Sequence, residues 1–314
     1  MTRTVRAHTN IALIKYWGKE NKALKIPHNS SLSLTLDKFY TDTSVTYDPT
    51  LSNDVFILDG KEVDDKVSKR VFWFMDQVRE RYGIQDYARI ESVNHVPREA
   101  GLASSASAFA ALAKAATLHL NLSDTEVSRL ARLGSGSASR SIYPDFAKWQ
   151  RGSDDTDSYA VPIEMEPWSQ FRMIVCILND QIKPYPSSEA MDKTVLESPY
   201  YKAWVHQTTL DLQELETALK AHDIRSVGMI AQTNALRMHA SLMAINMWYF
   251  EPRTIEIMNI LRTLQKDVPA YFTMDAGPNV KIMTTQENVD AVIAALPKDI
   301  SVVVCKAGPG VYEL

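Results

Sequence analysis

Three short segments of this 314-residue chain carry side chains suited to moving a phosphoryl group. Asn10-Ile-Ala-Leu-Ile-Lys-Tyr-Trp-Gly-Lys19 supplies two lysines and two large aromatics. Met274-Asp-Ala-Gly-Pro-Asn279 sets a carboxylate in a turn. Pro97-Arg-Glu-Ala-Gly-Leu-Ala-Ser-Ser-Ala-Ser-Ala108 is serine-rich and has a glycine that permits close backbone approach. Phosphoryl transfer asks little covalent chemistry of a protein; it needs an oriented acceptor, a cation against developing charge and a cradle for phosphate oxygens. A fourth segment, Ser135-Gly-Ser-Ala-Ser-Arg140, offers hydroxyls and a guanidinium able to fork onto a carboxylate or a diphosphate.

Each segment also has a plainer reading. Lys15 and Lys19 are spaced to share a helix face as solvated lysines, with Tyr16 and Trp17 walling a pocket or simply packing. Asp275 suits a turn-stabilising role. Ser104, Ser105 and Ser107 suit the cap of an alanine-rich helix, and Arg140 a polar surface loop. Asp154, Asp155 and Asp157 lack the glycine and terminal glutamate of a calcium loop and read as a solvated turn. The Walker pattern is absent from the sequence, and Gly134-Ser-Gly136 lacks the third glycine of the dinucleotide fingerprint.

The elements that must hold these residues follow from the periodicities. Ser31–Leu36 and Thr43–Tyr47 alternate with period two, which predicts half-buried strands separated by a polar interruption from Asp37 to Asp42. Val67, Val71, Phe74, Met75 and Val78 mark an amphipathic helix within Val63–Tyr82, stopped by Gly83. A strand over Tyr87–Asn94 leads through the serine-rich loop into a helix over Ser107–Leu120, an order that presents helix amides to an anion. Phe171–Leu178 reads as a strand. Helices are expected over Val195–His222, Ile224–Asn246, Arg253–Asp267 and Glu287–Leu296, and strands over Tyr271–Met274, Val280–Thr284 and Ser301–Cys305. The proline-bearing stretch Asn179–Ser188 suggests a boundary that divides the chain into 1–183 and 184–314, both α+β.

Composition narrows the ligand. An apolar share of 45%, a charged share of 23% and a net charge of -4 describe a soluble globular chain with no global field for nucleic acid or an anionic membrane. An anionic ligand must be held locally and is expected to be small. Cys176 and Cys305 sit in apolar runs and read as buried, unpaired thiols, which with the absence of an apolar leader suggests a cytoplasmic protein.

Taken together and in order, the four segments and Ser31-Leu-Ser-Leu-Thr35 resemble the diphosphomevalonate decarboxylases of the GHMP kinase superfamily. The pairing of Lys-Tyr-Trp-Gly-Lys with Met-Asp-Ala-Gly-Pro-Asn is specific to that family, whereas the serine-rich loop indicates only the superfamily. The resemblance implies an α+β fold with an N-terminal domain like domain 2 of ribosomal protein S5 and a C-terminal ferredoxin-like domain. It implies ATP and Mg2+ as cofactors, (R)-5-diphosphomevalonate as substrate, a homodimer, and no nucleic-acid or membrane partner.

By family position Asp275 orients the substrate hydroxyl, Lys19 offsets charge beside the reacting oxygen, and Arg140 holds the substrate carboxylate. Tyr16, Trp17, Ser135, Ser137, Ser187 and Met191 fall at substrate-binding positions. Ser92, Asn94, Gly101, Leu102, Ala103, Ser104, Ser105 and Ser107 fall at ATP positions, with Ser105 the magnesium contact. The family's Ser-x-x-Gly-Met segment corresponds to Ser187-Ser-Glu-Ala-Met191, with Ala190 in place of glycine. Where bacterial members often carry arginine this chain has Ser188, with Lys183 a candidate for the missing diphosphate contact. The rivals are a small-molecule kinase that stops at phosphorylation, a decarboxylase of the monophosphate, and a catalytically silent binding module. Arg140 argues against the first, because those kinases generally place an aspartate there.

Overall fold

The computed structural model describes residues 3–64, 66–96, 104–178 and 185–314. Strand β1 (Thr4–Ile14) leads into a short hairpin of β2 (Lys19–Asn21) and β3 (Ile26–Pro27), and then into the long strand β4 (Ser31–Asp48). After β5 (Val55–Leu58) and β6 (Lys61–Glu62) come helix α1 (Lys66–Tyr82), β7 (Tyr87–Asn94), α2 (Ser105–Ala116), α3 (Asp124–Gly134), β8 (Phe146–Trp149) and β9 (Ala160–Pro162). β4 is long enough to serve two neighbours on one edge: Ser31–Leu34 pair with β8 and Thr41–Asp48 with β7, while β1 runs antiparallel along its other edge. The expected interruption at Asp37–Asp42 is therefore continuous strand. Its polar residues find cross-strand partners, Asp42 with Arg6 at 2.7 Å and Asp37 with the Lys306 amide at 3.0 Å.

Helices α1 to α3 cover one face of this sheet. Val71, Phe74, Met75 and Val78 of α1 are buried as their spacing predicts, whereas Val67, in the first turn, is exposed. The small side chains Ala106, Ala110 and Ala113 let α2 lie close against β1 and β4.

The second sheet is built from β10 (Phe171–Ile177), β11 (Tyr271–Thr273), β12 (Lys281–Thr285) and β13 (Ser301–Cys305), in the antiparallel order β11-β12-β10-β13. Between β10 and β11 lie α4 (Ser187–Glu197), α5 (Tyr201–Lys220), α6 (Ile224–Met243) and α7 (Pro252–Leu264); α8 (Val289–Ala295) precedes β13. That strand order is the ferredoxin-like one, with the first helical connection enlarged to four helices. The single helix expected over Val195–His222 is broken at Ser198-Pro199, because proline lacks the amide that would continue α4.

Two findings bear on the division of the chain. Phe171–Ile177, grouped by sequence with the first half, hydrogen-bonds in the second sheet between β12 and β13. An apolar run buried on both faces carries no mark of which sheet it joins. The chain then returns, since β14 (Tyr312–Glu313) pairs with β1 in the first sheet. A shared core of Ile11, Leu13, Leu32 and Leu34 from the first sheet with Phe171, Met173, Leu215 and Ala231 from the second half joins the two.

Candidate active site

The helix face expected for Lys15 and Lys19 does not form. β1 ends at Ile14, and the next residues leave the sheet as irregular chain. A backbone buried outside a sheet must find other partners. The Lys15 amide donates to Asn234 Oδ1 at 2.9 Å, and its carbonyl accepts from Asn29 Nδ2 at 2.8 Å. Gly18 adopts φ +89°, and a Cβ there would meet the Tyr201 hydroxyl at 2.1 Å. That hydroxyl donates to the Trp17 carbonyl at 2.8 Å, so the turn is fitted against α5.

Pinned in this way, Lys15 reaches the turn after β11. Its Nζ is 2.8 Å from Asp275 Oδ1 and 2.8 Å from the Ala12 carbonyl. Lys281, also buried, approaches Asp275 Oδ2 at 3.5 Å. Lys15 and Asp275 both line the cavity, and Asp275 at 30% exposed is far more accessible than Lys15 at 2%, so the carboxylate is the better placed of the pair to meet a ligand. Burial pulls the Lys15 ammonium down to about 8 despite the opposing attraction of Asp275. His239 beneath it is driven to about 3 by burial and stays neutral. Neither Lys15 nor Lys281 was assigned a part by sequence. The Lys15–Asp275 pair joins residues 260 positions apart, which no local spacing reveals.

A cavity of about 500 Å³ extends from Asp275 between the two halves. Arg140 lies on its wall in a short 3-10 helix, Gly136–Ile142, and is only 1% exposed, which overturns the surface-loop reading. A Cβ at Gly136 would strike Trp149 at 2.7 Å, so glycine allows this helix to pack close. Arg140 Nε donates to Ser33 Oγ at 2.9 Å, one terminal nitrogen donates to Ser31 Oγ, and the other to Asn10 Oδ1 at 3.3 Å. Among the described residues three of five guanidinium donors are thus engaged, and two remain. Burial pulls Arg140 down to about 10, so it is charged at neutral pH.

Of the other residues expected from sequence, Tyr16, Trp17, Lys19, Ser105, Ser135, Ser137, Ser187 and Met191 line the same cavity. The Tyr16 hydroxyl is buried without a hydrogen-bond partner among the described residues. Lys19 does not join the Asp275 pair; its Nζ lies 3.9 Å from Met191 Sδ, and burial lowers its pKa. Ser105 and Ser135 hydroxyls are 3.3 Å apart, and Ser135 and Ser137 3.2 Å.

Ser92, Asn94 and Ser107 instead form a ladder on β4. Ser92 Oγ lies 2.8 Å from Thr43 Oγ1, and Thr41 Oγ1 donates to Asn94 Oδ1 at 3.2 Å and lies 2.8 Å from Ser107 Oγ. Ser104 makes no side-chain cap to α2. Gly101, Leu102, Ala103 and Lys183 lie outside the described residues.

Asp154 and Asp157 close a turn on themselves, as expected, through the Thr156, Ser153 and Asp154 amides at 2.6 to 2.9 Å. Asp155 departs from that reading by pairing with Arg81, Arg129 and Arg132. Among the described residues no group of three or more His, Cys, Asp or Glu could hold a metal ion. One carboxylate and several serine hydroxyls at the cavity fit Mg2+ carried on phosphate oxygens and water, not a protein cage.

Fold and site together define a phosphoryl-transfer enzyme of the GHMP kinase fold. The family model described as "Diphosphomevalonate decarboxylase-like N-terminal domain" matches residues 7–160, and that described as "Mevalonate 5-diphosphate decarboxylase C-terminal domain" matches residues 173–306. The chain belongs to the mevalonate diphosphate decarboxylase family. Among solved structures, mevalonate diphosphate decarboxylase from Staphylococcus aureus is 42% identical with TM-score 0.96, covering 100% of this chain and 98% of its own. A structure described as MDDEF in complex with MVAPP, AMPPCP and magnesium is 44% identical with TM-score 0.95, covering 100% and 99%. Phosphomevalonate decarboxylase from Haloferax volcanii is 32% identical over 302 residues, 94% of this chain and 92% of that protein.

Proposed function

We propose that Asp275, Lys15, Lys19 and Arg140 are the working groups of the family's reaction, the ATP-dependent decarboxylation of (R)-5-diphosphomevalonate in the mevalonate pathway. The products are isopentenyl diphosphate, ADP, phosphate and carbon dioxide. The observation that carries this reading is an accessible carboxylate held between two buried lysines, in a cavity that also presents a buried arginine with donors to spare.

The substrate's 3-hydroxyl is a tertiary alcohol, a poor nucleophile whose hydroxide is a poor leaving group. Asp275 accepts its hydrogen bond, orients its oxygen to the γ-phosphorus of ATP, and takes the proton as the new O–P bond forms and ADP departs. Lys15 and Lys281 hold Asp275 in place as an anion. Lys19 offsets negative charge on the transferring phosphoryl group. Breaking the C3–O bond sends its electron pair out with phosphate. The pair of the bond to the carboxylate carbon then forms the double bond, and carbon dioxide is released. Arg140 holds that carboxylate through its two remaining donors, with Tyr16, Trp17, Ser135, Ser137, Ser187 and Met191 shaping the substrate site.

ATP is assigned to Ser92, Asn94 and residues 101–107, of which Ser105 to Ser107 open α2, and the relative solved with AMPPCP and magnesium supports that ligand pair. Bound Mg2+ would neutralise phosphate charge, with Ser105 as its protein contact. Among the described residues no helix is long and apolar enough to cross a membrane. A cytoplasmic homodimer is the proposed state, checked by light scattering. One incubation with magnesium ATP and (R)-5-diphosphomevalonate tests the reaction: ADP, phosphate and carbon dioxide should appear in equal amounts. ADP without carbon dioxide would mean a kinase, and turnover of the monophosphate alone would move the substrate to that of the Haloferax relative.

A further inference from the structure

At the mouth of the cavity stand four cations, Lys19, Lys25, Lys66 and Arg70. Among the described residues none of them has a salt-bridge partner; Asp192, whose charge is felt at Lys19, is bound by Lys22 at 2.8 Å. Lys25 is the unexpected member. It sits in the turn between β2 and β3 with φ +52°, in the left-handed region. Of the six non-glycine residues with positive φ among those described, the other five are Asp, Asn or His, the types that tolerate it best. A lysine has no such backbone advantage there, so its presence points to the ammonium.

The Lys25 Nζ donates to the Gly134 carbonyl at 2.6 Å, and Arg70 donates to the same oxygen at 2.9 Å. Gly134 ends α3, immediately before Ser135 and Ser137. One carbonyl therefore holds two cations beside the serines assigned to substrate, and a polyanion would complete the arrangement. Ser188, standing where the family's bacterial members often carry arginine, lines the same cavity.

We propose that Lys25 binds the terminal phosphate of the acceptor substrate's diphosphate, in the role otherwise given to that arginine, and so sets the preference for diphosphate over monophosphate. This rests on the function proposed above. Facing Lys25 are Arg70 and the Trp73 ring of α1, the latter 5.8 Å from Nζ, and the Gly134 carbonyl of α3; Lys19 of β2 and Lys66 of α1 share the cavity mouth. Burial first, then Arg70 and Lys19, pull Lys25 down to about 7. A bound phosphate would restore its proton, so substrate binding should take up a proton and weaken as pH rises above 7.

The test is steady-state kinetics of the full chain with ATP and either (R)-5-diphosphomevalonate or the monophosphate, for wild type, Lys25→Met, Lys25→Asn and Lys25→Arg. Met and Asn should raise KM for the diphosphate on the order of tenfold, with the loss on KM and not kcat, and shrink the preference over the monophosphate. KM for ATP should not move. Arg should keep the low KM and remove its rise above pH 7. Asn suits the left-handed turn, so a Tm at or above wild type with a raised KM separates ligand binding from a structural role. An unchanged KM in both Met and Asn overturns the proposal, and so does a rise confined to ATP. If wild type releases carbon dioxide from neither substrate, the functional reading fails before any variant is measured.

Discussion

The inner end of the cavity and its mouth handle charge in opposite ways. Inside, Asp275 pairs with both Lys15 and Lys281, and Arg140 is forked onto two serines and an asparagine. At the mouth, Lys25 and Arg70 share one carbonyl, with no carboxylate partner among the described residues. A carboxylate already fixed by cations in a buried site is preorganised and changes little when ligand arrives, whereas cations grouped without a carboxylate are completed by an anionic ligand. Perturbing the first should therefore reduce turnover, and perturbing the second should weaken binding.

The largest effect that would sharpen this contrast is Asp275→Asn, which keeps shape and removes the acceptor. We expect kcat to fall roughly a thousandfold, with substrate and ATP still bound in calorimetry. Turnover close to wild type would remove Asp275 from the chemistry. Arg140→Lys should lower kcat/KM by about 10 to 100-fold, because a point charge cannot reach Ser33, Ser31 and Asn10 and also a carboxylate; unchanged kinetics would put the carboxylate elsewhere.

Lys15→Met should cut kcat by about tenfold and abolish an alkaline limb near pH 8, since above about 8 the wild-type lysine loses its proton and its hold on Asp275. A limb that persists in the variant belongs to another group. The same lysine gives a signature in stability. Its folded value of about 8 lies below its ordinary 10.5, so between them the unfolded chain binds the extra proton. Wild type should gain stability as pH rises through that window, and Lys15→Met should lack the gain in chemical denaturation. The smallest effect belongs to the mouth. Raising NaCl from about 50 to 200 mM should raise KM for the diphosphate two- to threefold by screening, leaving kcat alone. A salt effect on kcat instead would erase the distinction between the two ends.

Legibility followed the range of the interaction. β7 and β13 match the strands expected over Tyr87–Asn94 and Ser301–Cys305 residue for residue, α1 and α6 fall within their expected helices, and α7 begins one residue before the helix expected over Arg253–Asp267. Asp275 and Arg140 are legible only through the resemblance of their segments to the family, since each alone reads as a turn aspartate or a surface arginine. The partners that give them their properties are not legible even so. Lys15 looked like half of a helical pair, because its strand ends one residue earlier and its backbone is paired by Asn29 and Asn234, both remote in sequence. Lys281 looked like a strand residue, and Lys25 has no motif at all. The membership of β10 was illegible for a related reason, since partner strands 100 or more residues away decide it.

The return of β14 to β1 has a mechanical consequence. The chain crosses between the two sheets twice, once between Pro162 and Phe171 and again between Cys305 and Tyr312, where Gly308 and Lys306 are tied to β4 by backbone hydrogen bonds. A body joined by a single tether can twist and slide in any direction, but one joined at two places turns about the line between them. Relative motion of the cavity walls is thus limited by both connections as well as by the shared core, and cutting the chain after Cys305 would remove one of these restraints while leaving the four-stranded sheet with all its strands.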